Sequence, residues 1–213
     1  MHSYNDLNEV SQQFWKTRTE YPPWQHLAKR RLLDLEMIID NIPETTESIL
    51  DLGCGNGEIL LTLREFTQIK TFYAFDISDV FINNIKNRWG TNNKNLITKV
   101  CNIALNQELP EVDVCLCLGV FIYIFDDQQL KTVLANIRSK IFICRVPCNI
   151  DKRLYVNTFS KELGDKYSSV YRTIPEYVEL LSSNFKITSI QKSYPDTIES
   201  KYKTESFYFI CQR

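Results

Sequence analysis

The segment from Ile49 to Glu58 sets narrow limits on the fold of this chain. It reads Ile-Leu-Asp-Leu-Gly-Cys-Gly-Asn-Gly-Glu, an apolar run followed by three closely spaced glycines and the start of an amphipathic stretch. Glycine tolerates positive φ angles and lets a ligand approach the backbone closely. The segment therefore predicts a strand, a tight turn and a helix arranged around a nucleotide-like ligand.

The same alternation of short apolar runs and amphipathic stretches continues along the chain. The predicted strands are 48–52, 71–75, 96–101, 112–118 and 141–146, and the predicted helices are 58–66, 79–89 and 127–138. Strands that are apolar throughout and separated by helices indicate a parallel sheet covered on both faces.

The C-terminal part of the chain is expected to complete this sheet. After Pro147 we expect a charged connection with one helix, then a helix capped at Thr173 or Ile174 that runs to about residue 183. Two strands, 185–190 and 206–211, follow as an antiparallel pair. The predicted fold is α/β, a Rossmann-like three-layer sandwich with a seven-stranded, mostly parallel sheet whose last strand is antiparallel.

Two further helices are predicted before the sheet. They cover residues 6–18 and 24–41, with a break at Tyr21-Pro22-Pro23 because proline disfavours helix in the residue before it. In the second helix, the apolar positions at helical spacing are Ala28, Leu32, Leu35 and Ile39. We expect residues 1–44 to form a helical cap, or lid, over a domain of residues 45–213.

Composition narrows the classes of function. The 213 residues carry 25 Lys and Arg against 26 Asp and Glu, a net charge of −1. The positive electrostatic field that drives phosphate binding is therefore missing, and no nucleic-acid partner is expected.

The chain has neither an N-terminal targeting pattern nor a membrane-spanning apolar run, which predicts a cytoplasmic protein without a membrane partner. The seven cysteines show no zinc-site spacing, so no metal is expected. We expect a monomer or a homodimer.

Two carboxylates refine the identity of the ligand. A dinucleotide site requires a small residue at position 58, where this chain has Glu58, so a nicotinamide-dependent oxidoreductase is disfavoured. Asp51, just before the glycines, suits a ligand with an ammonium group better than a pyrophosphate. Asp76 follows the second predicted strand, where a carboxylate meets ribose hydroxyls; taken alone, it is equally typical of a helix cap.

With these residues in place, the sequence resembles the class I S-adenosylmethionine-dependent methyltransferases. The resemblance rests on the segment 51–57, on Asp76 and on the order of elements from about residue 45 to the end of the chain. It implies that S-adenosylmethionine is the cofactor and S-adenosylhomocysteine the product. The cofactor-binding residues that it implies are Asp51, Gly53, Cys54, Gly55, Gly57, Asp76, Ile77, Asn102, Ile103 and Leu118. Asn102 stands where the family often has an acidic residue that contacts the adenine amine.

The sequence constrains the acceptor-binding residues less than it constrains the cofactor-binding residues. Methyl transfer is an in-line displacement that depends mainly on alignment, and not every acceptor needs a base. The candidate catalytic residues are His26 and Tyr123, with a structural role as the alternative for His26. The candidate acceptor-binding residues are Arg18, Tyr21, Trp24, Tyr123, Arg145, Tyr171 and Arg172. Because arginine binds carboxylate and phosphate in a bidentate manner, an anionic acceptor is a hypothesis.

These observations favour a methyltransferase that acts on an oxygen or nitrogen atom of a small biosynthetic molecule such as a sugar, a sugar phosphate or another metabolite. One alternative is a non-catalytic subunit that binds S-adenosylmethionine. Another is a nucleic-acid or protein methyltransferase of the same fold. The second alternative is disfavoured because Leu118-Gly119-Val120-Phe121 stands where such enzymes carry an Asn/Asp-Pro-Pro-Tyr/Phe motif.

Overall fold

The computed structural model describes residues 4–19, 27–90, 94–105, 107–161, 164–193 and 202–213. Its helices are α1 (Tyr4–Lys16), α2 (Leu27–Asn41), α3 (Glu58–Phe66), α4 (Asp79–Trp89), α5 (Asp127–Asn136) and α6 (Ile174–Ser182). Its strands are β1 (Ser48–Leu52), β2 (Thr71–Asp76), β3 (Leu96–Val100), β4 (Glu111–Leu118), β5 (Arg138–Asn149), β6 (Leu154–Ser160), β7 (Asp165–Tyr171), β8 (Lys186–Lys192) and β9 (Thr204–Gln212). A short 3-10 helix, Phe121–Tyr123, follows β4.

Seven strands form one sheet in the order β3-β2-β1-β4-β5-β9-β8. The strands from β3 to β5 are parallel neighbours, whereas β9 runs antiparallel to both β5 and β8. The sheet order reverses at β1, which lies between β2 and β4, and open α/β sheets bind their ligands at such a switch point. The predicted fold class is confirmed.

Helices cover both faces of the sheet. On one face, Leu52 and Phe142 pack with Leu134 of α5 and Tyr177 of α6. On the other face, side chains of β1, β2 and β4 pack with Leu60 of α3, Ile85 of α4 and Ile38 of α2. The apolar strands are buried from both sides, as a parallel sheet requires.

The helix starts that border the sheet follow local capping rules. The Ser78 hydroxyl accepts a hydrogen bond from the Phe81 N–H at the start of α4, and the Asp126 carboxylate accepts one from the Gln128 N–H at the start of α5. At α6, the Glu176 carboxylate accepts from the Thr173 backbone N–H at 2.7 Å, which identifies Thr173 as the predicted cap.

The connection after Pro147 differs from the sequence prediction. A helix is expected there, but the described residues of this stretch form the antiparallel hairpin β6–β7. Helix α1 packs against β7, and Val170 of the hairpin is buried together with Leu7 of α1 and Phe125. The inserted hairpin therefore supports the N-terminal helix beside the sheet.

The buried face of α2 also differs from the prediction. Leu32 and Ile39 are exposed by 57% and 44%, whereas Asp34 and Ile38 are buried. The apolar pattern predicts the wrong buried face of α2 because one of the buried positions is occupied by Asp34, a charged residue. This buried Asp34 belongs to the site described below.

All seven cysteines are buried free thiols, most of them in apolar strands. Among the described residues, no helix combines the length and the apolar character needed to cross a lipid bilayer.

Candidate functional site

A cavity of about 510 Å³ opens at the carboxyl ends of the central strands. Residues from the ends of β1, β2, β4 and β5 line it, together with residues of α1, α2, the hairpin and β9. Its volume lies within the range of small-molecule sites, and its place at the switch point is where α/β sheets bind ligands.

The turn after β1 forms one wall of the cavity. The backbone N–H groups of Gly53 and Cys54 both donate to the Phe75 carbonyl oxygen, at 2.7 and 3.1 Å, so the turn is fixed against the end of β2. Gly53 has a φ of 79°, and a Cβ atom there would lie 2.3 Å from Cγ2 of Val120. Only glycine fits between the turn and the segment after β4.

The carboxylate of Asp76 connects the turn after β1 to the start of α4. One carboxylate oxygen accepts from the Gly55 N–H at 2.8 Å, and the other accepts from the Ser78 N–H at 2.9 Å. Burial raises the pKa of Asp76, while these hydrogen bonds oppose the rise. The residue that caps α4 is Ser78, so the reading of Asp76 as the helix cap is wrong; its buried carboxylate lines the cavity instead.

Asp51 lines the cavity almost fully buried. Burial, together with the smaller effect of the nearby carboxylates Asp76 and Asp34, raises the pKa of Asp51 to about 7. A cation beside this group would offset both effects. The arrangement therefore suits a ligand with a positive charge near the turn.

The other two glycines of the turn serve different purposes. Gly55 and Gly57 do not line the cavity. A Cβ atom at Gly57 would lie 2.0 Å from Cδ1 of Ile85, so this position is small because α4 packs against it. Gly55 contributes its N–H group to Asp76. Of the three glycines that were expected to cradle the ligand, only Gly53 lines the cavity.

The residues that were predicted to surround the adenine ring lie together in the cavity. Ile77, Asn102, Ile103 and Leu118 line the same cavity as Cys54. The Asn102 side-chain oxygen accepts from the Ala104 N–H at 3.0 Å, which fixes the amide at the cavity wall. These residues form a partly apolar wall that suits a flat ring.

Aromatic side chains line the other end of the cavity, namely Trp15, Tyr123, Tyr167 and Tyr171. The Trp15 and Tyr123 ring centroids are 5.3 Å apart at 68°, and those of Tyr123 and Tyr167 are 6.1 Å apart at 90°. Tyr167 is hydrogen-bonded to the Tyr123 and Tyr171 side chains, and burial raises its pKa well above the usual range. The structure thus places the predicted Tyr123 and Tyr171 in one hydrogen-bonded group.

Arg145, at the end of β5, lines the cavity as predicted. Its Nε lies 2.8 Å from a carboxylate oxygen of Asp34, which is only 5% exposed. The Tyr208 hydroxyl donates a hydrogen bond to the same oxygen. Asp34 therefore connects α2 to β5 and β9, and its charge compensates that of Arg145.

Arg172 is part of the core, which corrects its assignment to the acceptor. The side chain has no exposed surface and does not line the cavity. Its Nε donates to Asp127 at 2.8 Å, and its other nitrogens donate to the carbonyl oxygens of Phe121, Ile124 and Phe125. This arginine holds the segment after β4 in place.

Arg18 also lies away from the cavity lining, which corrects the second of the predicted arginines. Its Nη2 is 3.5 Å from an Asp165 carboxylate oxygen, and its guanidinium stacks over the Phe14 ring at 4.1 Å. Three other predicted residues, Tyr21, Trp24 and His26, lie outside the described residues.

The sequence reasoning missed several cavity residues. They come from the N-terminal helices and from the strand ends of the antiparallel pair: Gln12, Arg30, Arg31, Asp34, Lys192, Thr204, Glu205 and Ser206. A signal was available for α2, because Arg30 and Asp34 are four residues apart and share one helix face. For β9 the sequence carried no comparable signal, since only the pairing with β5 brings its start to the ligand edge.

Comparisons with known proteins agree with this geometry. Residues 49–141 match the model of a methyltransferase domain family. No curated protein matches the sequence. A S-adenosylmethionine-dependent methyltransferase from Leishmania major has a similar structure, with a TM-score of 0.70, 16% identity, and coverage of 97% of this chain and 82% of that one.

Two similar structures contain the cofactor or its product. Geranyl diphosphate C-methyltransferase from Streptomyces coelicolor, solved with S-adenosylhomocysteine, has a TM-score of 0.68, 10% identity, and coverage of 97% and 98% of the two chains. Magnesium protoporphyrin IX methyltransferase from Synechocystis, solved with S-adenosylmethionine, has a TM-score of 0.67, 14% identity, and coverage of 98% and 97%. The carboxylates and the apolar wall of the cavity described above fit S-adenosylmethionine. Residues 49–141 thus match a methyltransferase domain family, and the chain has the fold of the S-adenosylmethionine-dependent methyltransferases that it resembles.

Proposed function

We propose that this protein transfers a methyl group to an oxygen or nitrogen atom of a small molecule bound in the described cavity. The observation that carries the proposal is that one cavity joins the carboxylates at the strand ends to the aromatic group of Trp15, Tyr123, Tyr167 and Tyr171. Parts of α1, α2 and the hairpin line this cavity, which favours a small acceptor over a nucleic acid or a protein. The role of residues 1–44 as a cap over residues 45–213 belongs to the same proposal.

The cofactor is proposed to occupy the strand-end part of the cavity. Asp76 would accept hydrogen bonds from the ribose hydroxyls, and Asp51 would lie near the ammonium group. Ile77, Ile103 and Leu118 would flank the adenine ring. Arg30 and Arg31 line the cavity too, and their charge suits the methionine carboxylate. When bound, the cofactor supplies a methyl group on a positively charged sulfur.

The acceptor is proposed to occupy the aromatic part. Tyr123 ends the short 3-10 helix that follows β4, and it would hydrogen-bond and orient the acceptor. His26 stays a candidate base on sequence grounds alone. The similar structures include enzymes named for geranyl diphosphate and for magnesium protoporphyrin IX, so the acceptor must be inferred from this cavity and not from the fold.

The test is to incubate the protein with S-adenosylmethionine and measure S-adenosylhomocysteine formation with separate fractions of a cell extract. The dialysable fraction is expected to stimulate turnover, whereas the RNA and protein fractions are not. Stimulation by RNA or protein would establish the macromolecular alternative. Cofactor binding without turnover in any fraction would favour the non-catalytic alternative.

A further inference from the structure

Ion pairs line the cavity. Arg145 pairs with Asp34 at 2.8 Å, and Lys192 pairs with Glu205 at 3.0 Å. All four of these residues line the cavity. An anionic acceptor at Arg145 would have to compete with Asp34 for the guanidinium, so Arg145 is poorly suited to hold an anionic acceptor.

The aromatic group offers a different kind of recognition. The side chains of Trp15, Tyr123 and Tyr167 are half-buried. The ring of Tyr123 packs edge to face with the ring of Trp15 and also with the ring of Tyr167. Phe14 supports Tyr167 from behind the lining with a centroid distance of 5.9 Å, and Tyr202 stacks on Tyr171 at 5.7 Å. Aromatic faces attract positive charge through their quadrupole.

The hydroxyl groups of this region are poor bases. Burial raises the pKa of both Tyr167 and Tyr171, so these phenols stay protonated near neutral pH. The carboxylates of Asp34 and Glu205 are engaged in ion pairs with Arg145 and Lys192. An aliphatic hydroxyl needs a base before it can attack, whereas an uncharged amine already has its lone pair available.

We propose that the acceptor is an amine that binds in its uncharged form, with its nitrogen near Trp15, Tyr123 and Tyr167. This inference rests on the proposed function and specifies its substrate class. The nitrogen lone pair forms the new bond to the methyl carbon, the carbon–sulfur bond leaves its electron pair on sulfur, and the positive charge moves from sulfur to nitrogen. The aromatic faces stabilise this new charge, and a product that still carries an N–H then releases its proton to water.

The inference is tested by binding, with choline as a probe for the methylated ammonium product. The control probe is its neutral isostere, in which carbon replaces nitrogen, and phenylacetate serves as the anionic probe. Each is titrated into the protein saturated with S-adenosylhomocysteine. Choline is expected to bind about tenfold more tightly than the isostere, and phenylacetate more weakly than choline. Equal binding of choline and its isostere, absence of choline binding, or tighter binding of phenylacetate would overturn the inference.

Matched variants test whether the rings are responsible. Tyr167→Leu removes the ring and is expected to reduce the preference for choline to about twofold, whereas Tyr167→Phe keeps the ring and should keep the preference. Tyr123→Leu is a second variant in case Tyr167→Leu does not fold. Retained binding of S-adenosylhomocysteine shows that a variant is folded. If S-adenosylhomocysteine does not bind even the unaltered protein, the proposed function fails; if it binds and the choline preference is missing, only the amine assignment fails.

Discussion

The two ends of the cavity are built in different ways. At the strand end, Asp51, Gly53 and Asp76 are set by backbone hydrogen bonds between neighbouring parallel strands and their turns. At the aromatic end, Trp15, Tyr123 and Tyr167 come from a helix, a 3-10 turn and an inserted hairpin that are distant in sequence. Local contacts between neighbouring strands and turns build the strand end, whereas contacts between segments distant in sequence build the aromatic end.

The largest expected effect concerns the packing beneath the strand end. Gly57→Ala should lower the free energy of unfolding by about 4 kcal/mol, because the added Cβ would lie 2.0 Å from Ile85 while φ is 73°. Gly90→Ala is the matched control, since φ is 94° there and no atom lies within 4 Å of the added Cβ. Thermal and denaturant unfolding should show a clearly smaller loss for the control. Equal losses would mean that backbone strain, and not contact with α4, makes Gly57 necessary.

A substitution of Asp76 tests whether the strand end of the cavity binds the cofactor. Asp76→Ala should weaken S-adenosylhomocysteine binding by about 100-fold, because it removes the proposed ribose contact and leaves the Gly55 and Ser78 N–H groups without their acceptor. Asp76→Asn keeps one acceptor oxygen and should weaken binding less. Calorimetric titration measures both values. Unchanged affinity in Asp76→Ala would refute the ribose assignment.

Asp34 is where the two ends meet, because it lines the cavity and pairs with Arg145 and Tyr208. Asp34→Asn leaves the half-buried arginine without its counter-charge, so the free energy of unfolding should fall by about 2 kcal/mol. Asp151→Asn removes the exposed pair with Lys203 and serves as the control, with an expected change below about 0.5 kcal/mol. Similar results for both variants in chemical denaturation would show that Asp34 does not anchor α2.

The smallest expected effect is a dependence of cofactor affinity on pH. The pKa of Asp51 is raised to about 7 in the free protein, and a bound ammonium group would lower it, so binding should release protons. Affinity for S-adenosylhomocysteine should therefore rise about tenfold from about pH 6 to about pH 8, because the ionised fraction of Asp51 rises by that factor. Calorimetry in buffers with different ionisation enthalpies measures the proton release. Asp51→Asn should remove the dependence, and a dependence that persists in this variant would assign it to another group.

The sequence predicted the strand end well because local rules determine it. A glycine turn after an apolar strand and a carboxylate after the next strand fix their own positions once the sheet is parallel. Even there, the sequence did not show why position 57 needs a glycine, because the closeness of Ile85 to this position depends on the packing of α4.

The aromatic end was predicted less well because long-range contacts determine it. Arg172 looked suited to an acceptor, but Asp127, 45 residues earlier in the chain, binds it in the core. The face of α2 was misplaced because the buried Asp34 interrupts the apolar pattern. The hairpin was missed although Tyr155, Val156 and Thr158 are residue types that favour strands.

The measurement that decides whether the strand end is a cofactor site is calorimetric titration of the protein with S-adenosylhomocysteine, with NADH as the comparison ligand. We expect micromolar binding of S-adenosylhomocysteine and none of NADH, because Glu58 stands where a pyrophosphate site needs a small residue. Binding of NADH in place of S-adenosylhomocysteine would contradict the assignment of the cavity.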